Sequence, residues 1–161
     1  MKRLCALSLL LLSSLGLAQS STDVLNAKFS CNLVRQEGGD GERLNYADQG
    51  VIQLRGNVIK NLQWESSLFR STNGHECSID SSDEPQAELT PKGWRISLKN
   101  AAEARSRRGY DFERGLNCSI RLERSGDELA IRPSCPALCG SRLNFTTLTV
   151  NLKNGQCQYD E

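Results

Sequence analysis

Along most of this chain apolar residues alternate with polar ones, the period of a strand with one buried face, and the breaks between runs are hairpin punctuation. Phe29, Cys31 and Leu33 share one face of a first candidate strand, with Lys28, Ser30 and Asn32 on the other. Ile52 and Leu54 lead into Arg55-Gly56-Asn57. A three-residue loop there sets Leu54 opposite Val58 and keeps Leu62 and Trp64 on the same buried face, where a two-residue loop would scatter them. Leu89 runs into Pro91-Lys92-Gly93, after which Trp94, Ile96 and Leu98 alternate with Arg95 and Ser97.

Two further hairpins follow. With Gly126-Asp127 as a two-residue turn, Leu122 faces Ile131, Ile120 faces Pro133 and Cys118 faces Cys135. Asn154-Gly155 is a type I′ signal that pairs Leu152 with Cys157 and Val150 with Tyr159. Only residues 101–108 predict a helix, with Asn100 as N-cap, Glu103 at the third position and Gly109 as the stop. The sum is an all-β fold: about eight short antiparallel strands and one short helix, arranged as a small barrel or a two-sheet sandwich, with the barrel as the expectation.

The N-terminus departs from this pattern. Lys2 and Arg3 precede an apolar run from Ala6 to Leu12, and Gly16 and Ala18 supply small residues, so residues 1–18 predict a cleaved export signal and residues 19–161 a single domain. The apolar run falls short of the roughly 20 residues a membrane-spanning helix needs. Cys5 precedes that run, whereas a lipidated cysteine would end it. Cleavage removes two of the 20 Lys and Arg and none of the 19 Asp and Glu, so the formal charge falls from +1 to −1. A domain without basic excess is a poor fit to nucleic acid, whose affinity is dominated by phosphate contacts.

Six cysteines remain after cleavage: Cys31, Cys77, Cys118, Cys135, Cys139 and Cys157. In an oxidising compartment an even set predicts disulfides, here three. Hairpin register pairs Cys118 with Cys135. Cys139 and Cys157 flank the last strand and pair next, leaving Cys31 with Cys77; the competing pattern joins Cys77 to Cys135 or Cys139.

Catalytic patterns are weak. His75 is the only histidine, so a multi-histidine zinc site is excluded, and a loop histidine is the expectation. No Gly-x-Ser-x-Gly turn supports a serine nucleophile. Cys135 to Cys139 has three intervening residues, unlike a Cys-x-x-Cys redox centre. Asp80, Asp83 and Glu84 cluster in a Ser-rich stretch that predicts a solvated loop, with neither the defined carboxyl separation of a glycosidase nor the calcium-loop spacing. The glycine-rich acidic loop 36–42 lacks the Gly-Lys-Ser/Thr ending of a phosphate-binding loop. Neither a cofactor nor a metal site is expected.

One segment has the composition of a binding surface. Arg105, Arg107 and Arg108 interleave with Tyr110 and Phe112, and Arg with aromatic residues dominates interface hot spots. The bland alternative is a charged connection whose aromatics cover the end of the fold. Sequons at Asn117 and Asn144 would matter only in a eukaryotic secreted chain.

In outline, as a short, exported, antiparallel chain, the sequence resembles the small β-barrel lysozyme inhibitors of Gram-negative bacteria. That family's Ser-Gly-x-x-Tyr loop stands here as Ser125-Gly126-Asp127-Glu128-Leu129, and its Thr-Lys-Gly motif as Thr90-Pro91-Lys92-Gly93. The tyrosine is absent and a proline is inserted, so no inhibitory residue is carried over. The expectation is a non-catalytic periplasmic or secreted binding protein whose partner is a cell-wall hydrolase, an inhibitor or immunity protein, with no nucleic acid and no stable membrane anchor. The alternatives are a barrel holding a small ligand against Trp64 and Trp94 and, third, an extracytoplasmic enzyme with a dispersed site.

Overall fold

A computed structural model of the chain describes residues 23–37, 41–99, 118–134 and 145–160. The leader expected over 1–18, the helix expected over 101–108 and the segment carrying Arg105, Arg107, Arg108, Tyr110 and Phe112 lie outside the described residues, as do Cys135 and Cys139.

Alternation becomes strand throughout. The described strands are β1 (Val24–Glu37), β2 (Glu42–Arg55), β3 (Val58–Phe69), β4 (Gly74–Ile79), β5 (Pro85–Thr90), β6 (Gly93–Leu98), β7 (Ser119–Ser125), β8 (Glu128–Pro133), β9 (Leu148–Asn151) and β10 (Cys157–Tyr159). All pairings are antiparallel and fall into two sheets, ordered β1-β2-β3-β4 and β10-β9-β8-β7-β6-β5. The fold is therefore a two-sheet arrangement and not the closed barrel that was expected. Among the described residues there are ten strands against about eight expected, and β4 forms where a loop around His75 was expected. In place of wholesale closure, the loop that leads into edge strand β10 meets edge strand β1 through a backbone bond, Ser30 N–H to the Gly155 carbonyl at 3.3 Å.

The core fills the space between the sheets. Leu25, Ala27 and Phe29 of β1, with Leu62 and Trp64 of β3, face Trp94, Ile96, Ile120, Leu122, Ile131 and Val150 of the second sheet in one continuous cluster. Trp64 and Trp94 are both fully buried. Each such side chain contributes about 1.5–3 kcal/mol by leaving water, so the period-two pattern alone accounts for the face each strand buries. Trp94 also donates its indole N–H to the Gly56 carbonyl at 2.8 Å, which ties the second sheet to the β2–β3 turn. From the same turn, the Asn57 side chain accepts the Leu89 N–H of edge strand β5 at 2.8 Å.

The hairpins hold and correct the expected registers in instructive ways. Leu122 faces Ile131 and Ile120 faces Pro133 across the Gly126-Asp127 turn, as expected. At the β2–β3 turn the loop has two residues, with Arg55 opposite Val58 and Leu54 opposite Ile59. An irregularity beyond Leu54 then restores Ile52 opposite Leu62 and Gly50 opposite Trp64. A bulge thus performs the phase correction that a longer loop was expected to make, and Val58 is left half exposed.

In the last hairpin Cys157 faces Val150 and Tyr159 faces Leu148, a slip of two residues from the type I′ register. The Asn151 side chain accepts the N–H groups of Lys153 and Asn154 at 2.9 and 3.3 Å, which builds a wider loop. Gly155 takes φ +73°, and a Cβ there would sit 2.7 Å from the Lys28 carbonyl oxygen. A slip of two keeps every side chain on its face, so the buried pattern survives the change.

That slip helps to decide the disulfides. Cys31 bonds to Cys157, with Cα atoms 5.3 Å apart, and so joins β1 to β10. The expected pairs Cys31–Cys77 and Cys139–Cys157 are both excluded by it. Cys77 lies on β4, three strand spacings from β1, or about 14 Å, well beyond the roughly 7 Å that a disulfide spans. Cys77 and Cys118 each take part in a disulfide as well. The expected partner of Cys118, Cys135, lies outside the described residues.

Candidate functional site

The most concentrated polar cluster inside the sandwich is centred on Asp48, which is 2% exposed. Asp48 faces Cys31 of β1 and Ser66 of β3 in the strand registers. The Trp64 indole N–H donates to its Oδ1 at 2.7 Å, and the Tyr159 hydroxyl, arriving from β10, donates to its Oδ2 at 2.9 Å. Ser66 bonds to the same carboxyl. Burial pushes the Asp48 carboxyl above its ordinary value, and the bonds from Ser66, Trp64 and Tyr159 pull it back. The Tyr159 hydroxyl is pushed up as well, first by burial, then by the Asp48 charge and by the bond it makes to Asp48.

Aromatic rings seal the surroundings. Trp64 meets Phe145 edge-on at 4.5 Å and Phe29 at 6.3 Å, while Tyr46 lies 6.0 Å from Tyr159. The Cys31–Cys157 bond lies beside the same network. Asp48, Ser66 and Trp64 are all buried. The chemistry of the cluster is that of a clasp: one carboxylate, satisfied by several donors, connects β2 and β3 of one sheet to β10 of the other.

Other residues singled out in the sequence take structural places. His75 stands in β4 opposite Leu68 and is partly buried, so it is a strand residue and not a loop histidine. Asp80 caps a single 3-10 turn, Ser81–Asp83: its side chain accepts from Ser82 N–H, and the Asp83 carboxyl accepts from Asp80 N–H at 3.0 Å. Ser81, Ser82 and Glu84 are exposed, as the expected solvated loop implies, but Asp83 is 1% exposed and closes a capping box that turns β4 into β5. Among the described residues no group of three or more His, Cys, Asp or Glu is arranged to hold a metal ion, and no helix is long and apolar enough to cross a membrane.

The solvent face of the second sheet carries strong charge. Arg95 of β6 is directly opposite Arg121 of β7, and Arg121 is directly opposite Arg132 of β8. Three guanidinium-bearing side chains therefore stand in one cross-strand row about 10 Å long, from two strand spacings. Like charges directly opposite are unfavourable by roughly 0.2–1 kcal/mol per pair. Glu123 offsets part of this from one side, 4.0 Å from Arg121 and 3.8 Å from Arg132, and Arg95 donates to the Ser119 hydroxyl at 3.3 Å. Both Arg121 and Arg132 stay at least half exposed. Lys92 and Thr90 border the row in a shallow depression.

Neither the clasp nor the row was singled out in the sequence, although both leave a trace there. Asp48 has the parity of the buried Ile52 and Leu54, and Ser66 that of Leu62 and Trp64, which marks them as polar residues on an inward face. The Arg121–Arg132 pair follows from the Gly126-Asp127 register. For Tyr159 and Arg95 alternation gives the face but not the partner, since Asp48 and Arg121 reach them only through pairings across long connections. Comparisons of the chain with known protein families, with characterised proteins and with solved structures find no match.

Proposed function

We propose that the chain is an exported, non-catalytic binding protein, acting outside the cytoplasm as an inhibitor or immunity protein against a cell-wall lytic enzyme. The observation that carries this reading is the division of chemistry between the inside and the outside of the fold. Inside, the buried carboxylate and its donors hold the sheets together, and Trp64 and Trp94 are packed in the core, where a ligand-holding barrel would need them to line a cavity. Outside, the arginine row stands on a rigid sheet at a cost in repulsion, which is how a recognition surface differs from a merely solvated one. The Cys31–Cys157 disulfide fits an oxidising compartment.

Arg105, Arg107, Arg108, Tyr110 and Phe112, outside the described residues, remain proposed binding residues on the strength of their composition. The test is affinity capture from extracytoplasmic extract with the oxidised domain 19–161. A stoichiometric hydrolase whose lytic activity falls on addition of the domain supports the reading. Retention of a small molecule in place of a protein, or turnover of cell-wall material by the domain itself, would overturn it.

A further inference from the structure

We infer that the row Arg95–Arg121–Arg132 is a docking surface for carboxylates on an acidic protein partner. This rests on the binding-protein reading above and adds the partner's chemistry. Guanidinium is a planar fork that matches a carboxylate with two parallel bonds, keeps its charge at every physiological pH and is weakly hydrated, so it suits recognition on an open surface. Three such forks stand on adjacent strands of one sheet, where the backbone ladder fixes their spacing at about 4.8 Å from strand to strand.

Two observations favour carboxylates over a phosphate or sulfate polymer. Glu123 already sits against the row, 4.0 Å from Arg121 and 3.8 Å from Arg132, as an intramolecular sample of the group the row accepts. Those distances are long for charge-assisted bonds, and both arginines remain exposed, so the row has capacity for closer acceptors. The face is also interrupted by acids: Glu88 is directly opposite Arg95, Glu123 shares β7 with Arg121, and Glu128 shares β8 with Arg132. A stiff, uniformly charged phosphate or sulfate polymer would meet these acids along its length, whereas a short flexible acidic peptide can place its carboxylates on the arginines and leave the acids unopposed. Two or three discrete carboxylates on a folded partner meet the arginines and avoid the acids. The match is one of charge complementarity, so the partner is a protein surface with a cluster of Asp or Glu about 10 Å across.

The experiment titrates the isotope-labelled oxidised domain with hexaglutamate and follows backbone amide and arginine Nε–Hε resonances. Expected are saturable shifts confined to the outer face of β6, β7 and β8, a dissociation constant at least tenfold weaker in Arg121→Gln with an unchanged or higher melting temperature, and tighter binding in Glu123→Gln. Absence of shifts on this face, or equal affinity of wild type and Arg121→Gln, overturns the proposal. Parallel titrations use inorganic phosphate and a heparin-derived hexasaccharide. Either one binding the face more tightly than hexaglutamate overturns the commitment to carboxylates. A hydrolase captured equally by wild type and Arg121→Gln would leave the binding-protein reading intact and remove the row from it. Hexaglutamate binding that the variant loses, with no hydrolase captured, would do the reverse.

Discussion

Removing the Asp48 side chain tests the clasp between the sheets. In Asp48→Ala the fully buried Trp64 indole N–H loses its 2.7 Å acceptor, and no water reaches it in compensation. An orphaned buried donor costs about 1–3 kcal/mol. The Tyr159 hydroxyl and Ser66 lose bonds to a charged acceptor too, but Tyr159 is only partly buried and can turn to solvent. Removing a buried charge returns some desolvation energy, the burial that raises the Asp48 pKa, so the net loss is about 2–4 kcal/mol. For a domain of this size that lowers the melting temperature by roughly 6–15 °C.

Calorimetry of the oxidised domain measures the loss. Asp48→Asn, which keeps an acceptor for Trp64, is expected to lose about half as much. A double-mutant cycle of Asp48→Ala with Tyr159→Phe is expected to show a coupling of about 1–2 kcal/mol, because both changes remove the same bond. Asp48→Ala within about 0.5 kcal/mol of wild type, or strict additivity in the cycle, would refute the clasp.

Three further outcomes follow from the same geometry. Non-reducing digestion and mass spectrometry are expected to recover a Cys31–Cys157 peptide and no Cys139–Cys157 peptide; in the chain-entropy model a loop of 126 residues is worth about 5 kcal/mol, so Cys31→Ala with Cys157→Ala should melt far below wild type. Tyr159 keeps its proton in the folded state above pH 10.0, its ordinary value, while the unfolded chain releases it. Native protein then binds more protons, so stability falls as pH rises, by up to about 1.4 kcal/mol per pH unit; urea unfolding from pH 9 to 11 should show a shallower fall in Tyr159→Phe. Gly155→Ala places a Cβ against the Lys28 carbonyl at a positive φ and should destabilise by more than about 1 kcal/mol in the same assay.

The legible and illegible parts of the fold separate by the range of the interaction that decides them. The β7–β8 hairpin was readable to the residue because Gly126-Asp127 and the alternation on both sides agree. The last hairpin was not, because the Asn151 side chain organises the loop and shifts the register by two, which alternation cannot detect. Sheet-against-barrel was decided by edges: among the described residues β1 is joined to β10 by the Cys31–Cys157 disulfide and to the loop before it by the Ser30–Gly155 bond, and no local signal reports how far such a seam extends. The disulfide was misread for the same reason, since proximity along the chain favoured Cys139 for Cys157 while the fold brings Cys31, 126 residues away. Of the candidate site, Asp48 and Ser66 were visible as polar residues at inward parity. The residue that completes their network, Tyr159, came from the opposite sheet.

We propose that the protein acts by binding a lytic enzyme and performs no chemistry itself. Turbidity clearing of a peptidoglycan suspension by extracytoplasmic extract, titrated with the oxidised domain, tests it most directly. Clearing is expected to stop at a one-to-one ratio with the captured hydrolase, and the Asp48→Ala domain, wherever it remains folded, to inhibit equally. Clearing that continues unchanged at excess domain, or clearing by the domain alone, would contradict it.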